Sequence, residues 1–492
     1  MPRIRPYLFY DVAISICSVC FRKVEGKIVF QDGRVLLMRR CPEHGEETAL
    51  LADDVEYYKQ CREVFVKAPE MPWVYNTPVH YGCPYDCGLC PDHEQHSCVS
   101  VVEICDACNL ACPICYADSG PHRQEFRTLE HVERMLDAVV RNEREPDVVQ
   151  ISGGEPTIHP QFFEILEAAR ARPIRHVMVN TNGIRLARDE EFALRLATYG
   201  KGFELYLQFD SFEREALQRL RGADTRKIHE QALERCNRLG ISVTLVVTVM
   251  KGVNDHEIGR IIDFALTQPC VRGVTLQPVQ QAGRTEDFDP ARDRLTLTEV
   301  RRRILEQTQV FRPEDVLPVP CHPDSLAMAY ALKPGALGPE QTEVLPLTSL
   351  VPLEVLLHGA RSTITFEHDG ALRAHFNGLF STNHSPQSSA SSLKELLCCL
   401  PAIDAPPNLT YDKLFRVLIM QFIDAWSFDV RSVKKSCVHI VHPDGRLIPF
   451  DTYNLFYRDD LERTRLQPLR DAIAPPPKRQ RAGRLPVLDD VP

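Results

Sequence analysis

No run of apolar residues in this 492-residue chain is long enough to span a bilayer. The longest, Ile241 to Met250, falls well short of the ~20 residues a membrane helix requires, and its β-branched residues favour a strand. Nor is there an excess of positive charge. The 58 basic residues face 67 acidic ones, giving a net charge of -9, so no global field recruits nucleic acid or an anionic membrane surface. No secretory leader is expected either: Arg3 and Arg5 precede an apolar stretch, but Asp11 interrupts it and no small-residue cleavage site follows. The expectation is a cytoplasmic protein without a transmembrane segment, making at most transient membrane contact. Hydrophobic and charged fractions of 44% and 25% are ordinary globular usage, which excludes wholesale disorder and fibrous repeats. The length predicts about three folding units.

What the chain has in abundance is cysteine, 18 in all. In a small secreted protein these would read as disulfides, but here they crowd into Cys-x2-Cys and Cys-x3-Cys-x2-Cys groups in a large chain, which points to metal. Cys17 and Cys20, followed about twenty residues later by Cys41 and His44, have two-knuckle spacing suited to one tetrahedral Zn or rubredoxin-like Fe. They define an N-terminal knuckle domain over residues 1–72. Residues 73–100 are rich in Pro, Gly and Cys and suit an irregular loop around an inorganic group. Cys61, Cys105, Cys236 and Cys270 stand alone and read as small core residues.

From about 101 to 284 the chain becomes regular. The runs VVEI, VVQIS, HVMVNTN, FELYLQFD, VTLVVTV and GVTLQPV alternate with stretches of helical periodicity. Six such units predict parallel strands joined by right-handed crossovers, an α/β fold forming a partial (β/α)6 barrel with its working edge at the C-terminal ends of the strands. Residues 285–470 read as a C-terminal α+β domain serving substrate or an auxiliary centre, with a hairpin around Asp444-Gly445. The Pro- and Arg-rich residues 471–492 read as a disordered tail.

Directly after the first barrel strand comes Cys108-x3-Cys112-x2-Cys115. Three thiolates on a four-iron cluster leave one iron open to a small molecule, and a loop at the strand's C-terminal end sets that iron at the barrel mouth. The alternative is a zinc knuckle. One βα unit later lies Ser152-Gly153-Gly154-Glu155-Pro156, where paired glycines allow close backbone approach to an ammonium group and Glu155 can add a charged hydrogen bond. With these two motifs in this order, residues 101–284 resemble the radical S-adenosylmethionine superfamily. The resemblance implies a 4Fe-4S cluster on Cys108, Cys112 and Cys115, the catalytic residues, which reductively cleaves S-adenosylmethionine, with Tyr116, Gly153, Gly154 and Glu155 near the cofactor. Ile114, rather than an aromatic residue, precedes the last cysteine.

Asn180 and Asn182 end the third strand, Gln208 and Asp210 the fourth, Thr248 the fifth and Gln277 the sixth. Strand alternation points such residues into the barrel, where they contact either the cofactor and substrate or one another. The upstream triplet Cys83, Cys87 and Cys90 has the same spacing as the first, with Cys98 eight residues on, and a fourth thiolate closes a cluster. These four residues are expected to hold an auxiliary 4Fe-4S centre, with a zinc site using His93 or His96 as the alternative.

The string GCPYDCGLCPDHEQHSC leading into CNLACPICYA, together with QPVQQAGR and CVHIVHPDGRLIPFDTYN, is similar to the tetraether-lipid synthase and pterin-methylase branch of that superfamily. That resemblance implies hydrogen abstraction from an unactivated carbon of a small-molecule or lipid substrate, ending in carbon–carbon bond formation or methylation, and a reductant such as flavodoxin or ferredoxin. It also implies a third cluster near Cys321, Ser325, Ser436, Cys437 and Asp451, of which only Cys321 and Cys437 are cysteines. The third cluster is then lost, replaced, or rebuilt with Cys398, Cys399, His322 or His439. Two other classes remain: an iron-sulfur electron carrier or scaffold, which the intact glycine motif disfavours, and a radical RNA-modifying enzyme, which the acidic pI near 6.0 disfavours.

Overall fold

The computed structural model describes residues 5–65, 71–335, 340–349 and 413–473. Cys398, Cys399 and the tail from 474 onward lie outside the described residues.

The N-terminal unit is an antiparallel meander of four strands, β1 (Leu8–Ile16), β2 (Lys23–Gln31), β3 (Arg34–Cys41) and β4 (Gly45–Ala52). Asp32 and Gly33, both at positive φ, make the two-residue turn between β2 and β3, the geometry that matches strand twist. Ala13, Ile28, Val35, Leu37, Ala49 and Tyr58 form its small core. The two knuckles sit at one end, in the β1–β2 and β3–β4 connections. Arg62 ties this unit to the rest of the protein through Asp324 at 3.2 Å and Asp429 at 2.8 Å. Residues 73–98 then run without helix or strand, as their composition predicts.

All six predicted barrel strands are present: β5 (Val99–Cys105), then, after the short β6 (Ile114–Cys115), β7 (Val148–Gly153), β8 (His176–Thr181), β9 (Phe203–Gln208), β10 (Val243–Val249) and β11 (Val271–Pro278). β5, β7, β8, β9, β10 and β11 pair in that order, all parallel. They are buried nearly throughout because helices cover the outer face and side chains fill the inner one. Amphipathic helices such as Leu129–Glu143, Phe162–Arg170, Arg226–Leu239 and Ile258–Thr267 supply the crossovers. Thr128 caps the first of them through the His131 amide.

The described strands of the C-terminal part extend the barrel sheet at both edges. After β12 (Arg284–Thr285) and β13 (Leu317–Pro318) come β14 (Leu326–Leu332), β15 (Leu345–Pro346), β16 (Leu414–Met420), β17 (Val438–Val441) and β18 (Leu447–Pro449). The sheet runs β13-β14-β16-β11-β10-β9-β8-β7-β5-β17-β18, with β15 on β14. β16 adds to β11 and β17 adds to β5, both in parallel, so eight parallel strands line the interior. The β17–β18 hairpin around Asp444-Gly445 forms as predicted.

Candidate active site

The cysteine loop begins at the end of β5. Cys112 is 8% exposed, and Cys108 and Cys115 are half-buried. Burial pushes the Cys108 thiol up to about 12, against the Leu110 amide that donates to its sulfur at 3.4 Å, and burial raises Cys112 as well. Thiolates at such positions need a cation to compensate them, which a bound iron cluster supplies. The donor set therefore fits a cluster. The loop is held from outside: β6 pairs with β12 antiparallel, and Arg284 donates to the Cys112 carbonyl at 2.6 Å and the Ser119 carbonyl at 2.6 Å while pairing with Asp118 at 2.8 Å.

Gly153 and Gly154 also allow a close approach within the protein. A Cβ on Gly153 would lie 2.2 Å from the Cys105 carbonyl oxygen, and one on Gly154 2.1 Å from that of Ala107. Gly153 also sits at φ +126. The pair admits the backbone of the cysteine loop itself, and the Gly154 and Glu155 amides donate to the Cys105 and Ala107 carbonyls at 2.7 and 2.8 Å. Glu155 likewise looks inward. Its buried carboxylate accepts from the Thr157 hydroxyl at 2.5 Å, the Thr181 hydroxyl at 2.8 Å and the Asn182 amide at 2.8 Å, tying the end of β7 to the end of β8.

A cavity of 280 Å³ occupies the barrel. Cys108, Cys112, Cys115, Tyr116, Gly153, Gly154, Glu155, Asn180, Asn182, Gln208, Thr248 and Gln277 all line it, so the barrel brings together nearly every cofactor residue read from the motifs. Asp210 is behind the wall. Its fully buried carboxylate accepts two hydrogen bonds from Arg221, at 2.5 and 2.9 Å, and one from the Thr248 amide at 2.8 Å. Arg221 is a residue that sequence reading missed. Beyond Asp210 and the Thr248 hydroxyl at 2.9 Å, its guanidinium charge favours the Cys112 thiolate that burial disfavours.

Across the strands runs a hydrogen-bonded belt. The Tyr116 hydroxyl meets the Ser152 hydroxyl at 3.2 Å, Asn180 donates to Ser152 at 3.2 Å, and Gln208 donates to Asn180 at 3.2 Å. Gln277 donates to the Tyr206 hydroxyl at 3.1 Å. The Gln208 side-chain carbonyl oxygen is buried and has no partner among the described residues, so it is available to a ligand N–H. Asn182 reaches the other way, to Asn109 of the cysteine loop at 2.7 Å. Deeper, Arg416 also lines the cavity and contacts Glu204 at 3.3 Å. Although burial opposes it, Arg416 and His176 hold the Glu204 carboxyl down to about 2.

The remaining metal candidates divide. Cys17, Cys20, Cys41 and His44 converge as predicted, their donor atoms all within 4.8 Å of one another. Cys83, Cys87 and Cys90 lie in the irregular loop, where the Cys87 sulfur donates to the Pro84 carbonyl at 3.0 Å. The sulfur of Cys98, the fourth residue expected to hold their cluster, lies within 4.8 Å of those of Cys321 and Cys437. Sequence distance hides this group, because its members lie on three remote segments. The other positions implied for a third cluster have internal partners: Ser325 meets Ser432, Ser436 donates to Asp451, and Asp451 accepts the Ile423 amide. His322 meets Ser432 and His439 meets His93. Cys61, Cys105, Cys236 and Cys270 are core residues.

Comparison with known proteins agrees with this geometry. The profile of the radical SAM superfamily matches residues 102–265, and that of the HMPTM N-terminal zinc ribbon domain matches residues 9–53. The chain is 30% identical over 491 residues to the 7,8-dihydro-6-hydroxymethylpterin dimethyltransferase of Methanocaldococcus jannaschii, a match covering 93% of this chain and 96% of that one. It is 31% identical over 163 residues to the mycofactocin maturase MftC of Mycobacterium ulcerans, covering 33% of this chain and 42% of that one, and 28% identical to a GTP 3',8-cyclase of Pectobacterium atrosepticum, covering 45% and 68%. Among solved structures it is similar to Streptococcus suis SuiB bound to S-adenosylmethionine, with a TM-score of 0.34 and 18% identity over 39% of this chain and 44% of that one.

Proposed function

Because this chain belongs to the radical S-adenosylmethionine superfamily, in its pterin-methylase branch, we propose that it is a methylating enzyme acting on a compact, hydrogen-bonding ring system of the pterin type. The observation that carries this reading is the amide belt of Asn180, Gln208 and Gln277 inside the cavity that the cluster cysteines line. Amide side chains fixed by their neighbours, with the Gln208 carbonyl left over, suit the edge of a ring that alternates donors and acceptors. The full-length match to a pterin dimethyltransferase supports the same choice. A lipid chain, the other substrate implied by the resemblance, gains no support from these relatives.

In this reading Cys108, Cys112 and Cys115 hold the 4Fe-4S cluster, which, when bound, supplies the electron that splits S-adenosylmethionine. Arg221 stabilises the Cys112 thiolate, Arg284 holds the loop, and the belt orients the ring. Cys83, Cys87 and Cys90 hold an auxiliary centre, and Cys17, Cys20, Cys41 and His44 hold a zinc ion. An external one-electron carrier of the flavodoxin or ferredoxin class serves as reductant.

The test is anaerobic reconstitution of wild type and Cys112→Ala, reduction in the presence of S-adenosylmethionine, and quantification of deoxyadenosine and of methylated pterin. Wild type should form both and the variant neither. A wild type that keeps its clusters yet yields no more deoxyadenosine than Cys112→Ala, with several reductants, would turn the reading to an electron carrier or scaffold.

A further inference from the structure

The spacing of thiols separates one-metal sites from clusters. Around a tetrahedral ion with bonds of ~2.3 Å, any two thiolate sulfurs stand ~3.8 Å apart. On a four-iron cluster each thiolate binds a different iron, so the sulfurs stand farther apart. This protein shows both patterns. In the ribbon site, Cys20 and Cys41 sulfurs are 3.8 Å apart and Cys41 lies 3.4 Å from the His44 ring nitrogen. Cys108, Cys112 and Cys115 form no such tight group among the described residues.

Cys98, Cys321 and Cys437 follow the one-metal pattern. The Cys321 and Cys437 sulfurs are 3.8 Å apart, all three sulfurs lie within 4.8 Å of one another, and the residues are 6%, 4% and 3% exposed. A histidine stands beside them in the posture of a metal-site imidazole: His96 Nε2 is 3.7 Å from the Cys98 sulfur, while its Nδ1 is paired at 3.0 Å with the buried Glu143 carboxylate. A carboxylate on one ring nitrogen orients the other toward a metal.

The three cysteines come from opposite edges of the open sheet. Cys98 and Cys437 immediately precede β5 and β17, which are parallel neighbours, and the Val99 amide donates to the Cys437 carbonyl at 3.1 Å. Cys321 lies in the turn before β14, on the other side of the gap. All three line the reaction cavity. We infer that Cys98, Cys321 and Cys437 bind a single thiophilic divalent ion, Zn2+ or Fe2+, which staples the two edges of the barrel together at the cavity wall. An iron-sulfur cluster at this place does not fit sulfurs so close. The staple stands apart from the choice of substrate, and its test needs no turnover.

Metal and acid-labile sulfide are to be counted in the full-length wild type, in Cys17→Ser/Cys20→Ser, and in Cys321→Ser/Cys437→Ser. The expected result is that the last variant loses one metal ion and no sulfide, with zinc or iron identified by elemental analysis. The ribbon variant keeps that ion, and protein grown on cobalt in this variant still shows the absorption of a thiolate-bound Co2+. Should Cys321→Ser/Cys437→Ser fail to fold, the ribbon variant alone decides, since it must retain one metal ion that is not accounted for by sulfide. Loss of about four irons with about four sulfides would replace the staple by a cluster. An unchanged count in Cys321→Ser/Cys437→Ser, or no residual cobalt–thiolate band in the ribbon variant, would remove the site.

Discussion

Arg221 joins two buried groups that would each be costly alone, the Asp210 carboxylate and the Cys112 sulfur. Replacing it by Gln leaves Asp210 charged, fully buried and without its guanidinium, a change that costs about 3–5 kcal/mol when a buried pair is broken. Arg221→Gln should lower the denaturation midpoint accordingly and, with iron restored, deplete deoxyadenosine formation more than zinc content; unchanged stability would contradict the buried pair. Glu204 makes a second prediction at this scale. Its folded carboxyl is held at about 2, below the ~4.3 of an unfolded glutamate, so its contribution is present above that unfolded value and is lost as pH falls through about 2. Glu204→Gln should therefore be less stable than wild type at pH 7, with the gap narrowing between pH ~4.5 and ~2 in denaturant melts. A constant gap would show that the ion pair is not its origin. Neither arginine partner was legible in the sequence, because Arg221 and Arg416 carry no motif and acquire meaning only from what faces them.

Among the elements, the turn after β7 and the cysteine loop depend on one another. The glycines were conspicuous in the sequence, and the structure adds their close contact with the loop's own backbone. Gly154→Ala forces a methyl to 2.1 Å from the Ala107 carbonyl oxygen, so the loop must shift. The variant should lose the cluster's iron and sulfide while keeping the metal ion of the ribbon, as elemental analysis with the iron-sulfur absorption band would show; a full cluster would refute the contact. The strands were legible because burial on both faces demands continuous apolar runs, and the ribbon because its ligands sit in two short turns. The approach of Cys98 to Cys321 and Cys437 was not legible, because loops of hundreds of residues give spacing no power to say which thiols meet.

On the scale of the whole molecule, the C-terminal segment completes the barrel rather than standing beside it. Arg458, beyond β18, pairs with the buried Glu103 of β5 at 2.8 Å, and β17 covers the edge of the same strand. Truncation after Met420 removes both, leaving a buried carboxylate unpaired and an apolar strand edge open. Such a protein should lose the cooperative thermal transition seen by circular dichroism and aggregate; a cooperative transition near that of wild type would mean the barrel stands alone.

The sequence by itself determined the alternation of strands and helices, the cysteine triplet at the first strand's end and the ribbon ligands, since each is written in residues within a turn or a strand of one another. Only the tertiary structure decided that the last strands flank the barrel on both sides, that Arg221 faces Cys112, and that Cys98, Cys321 and Cys437 meet. Those contacts join segments far apart in the chain, and they follow from the order of the strands in the sheet, which no local pattern encodes.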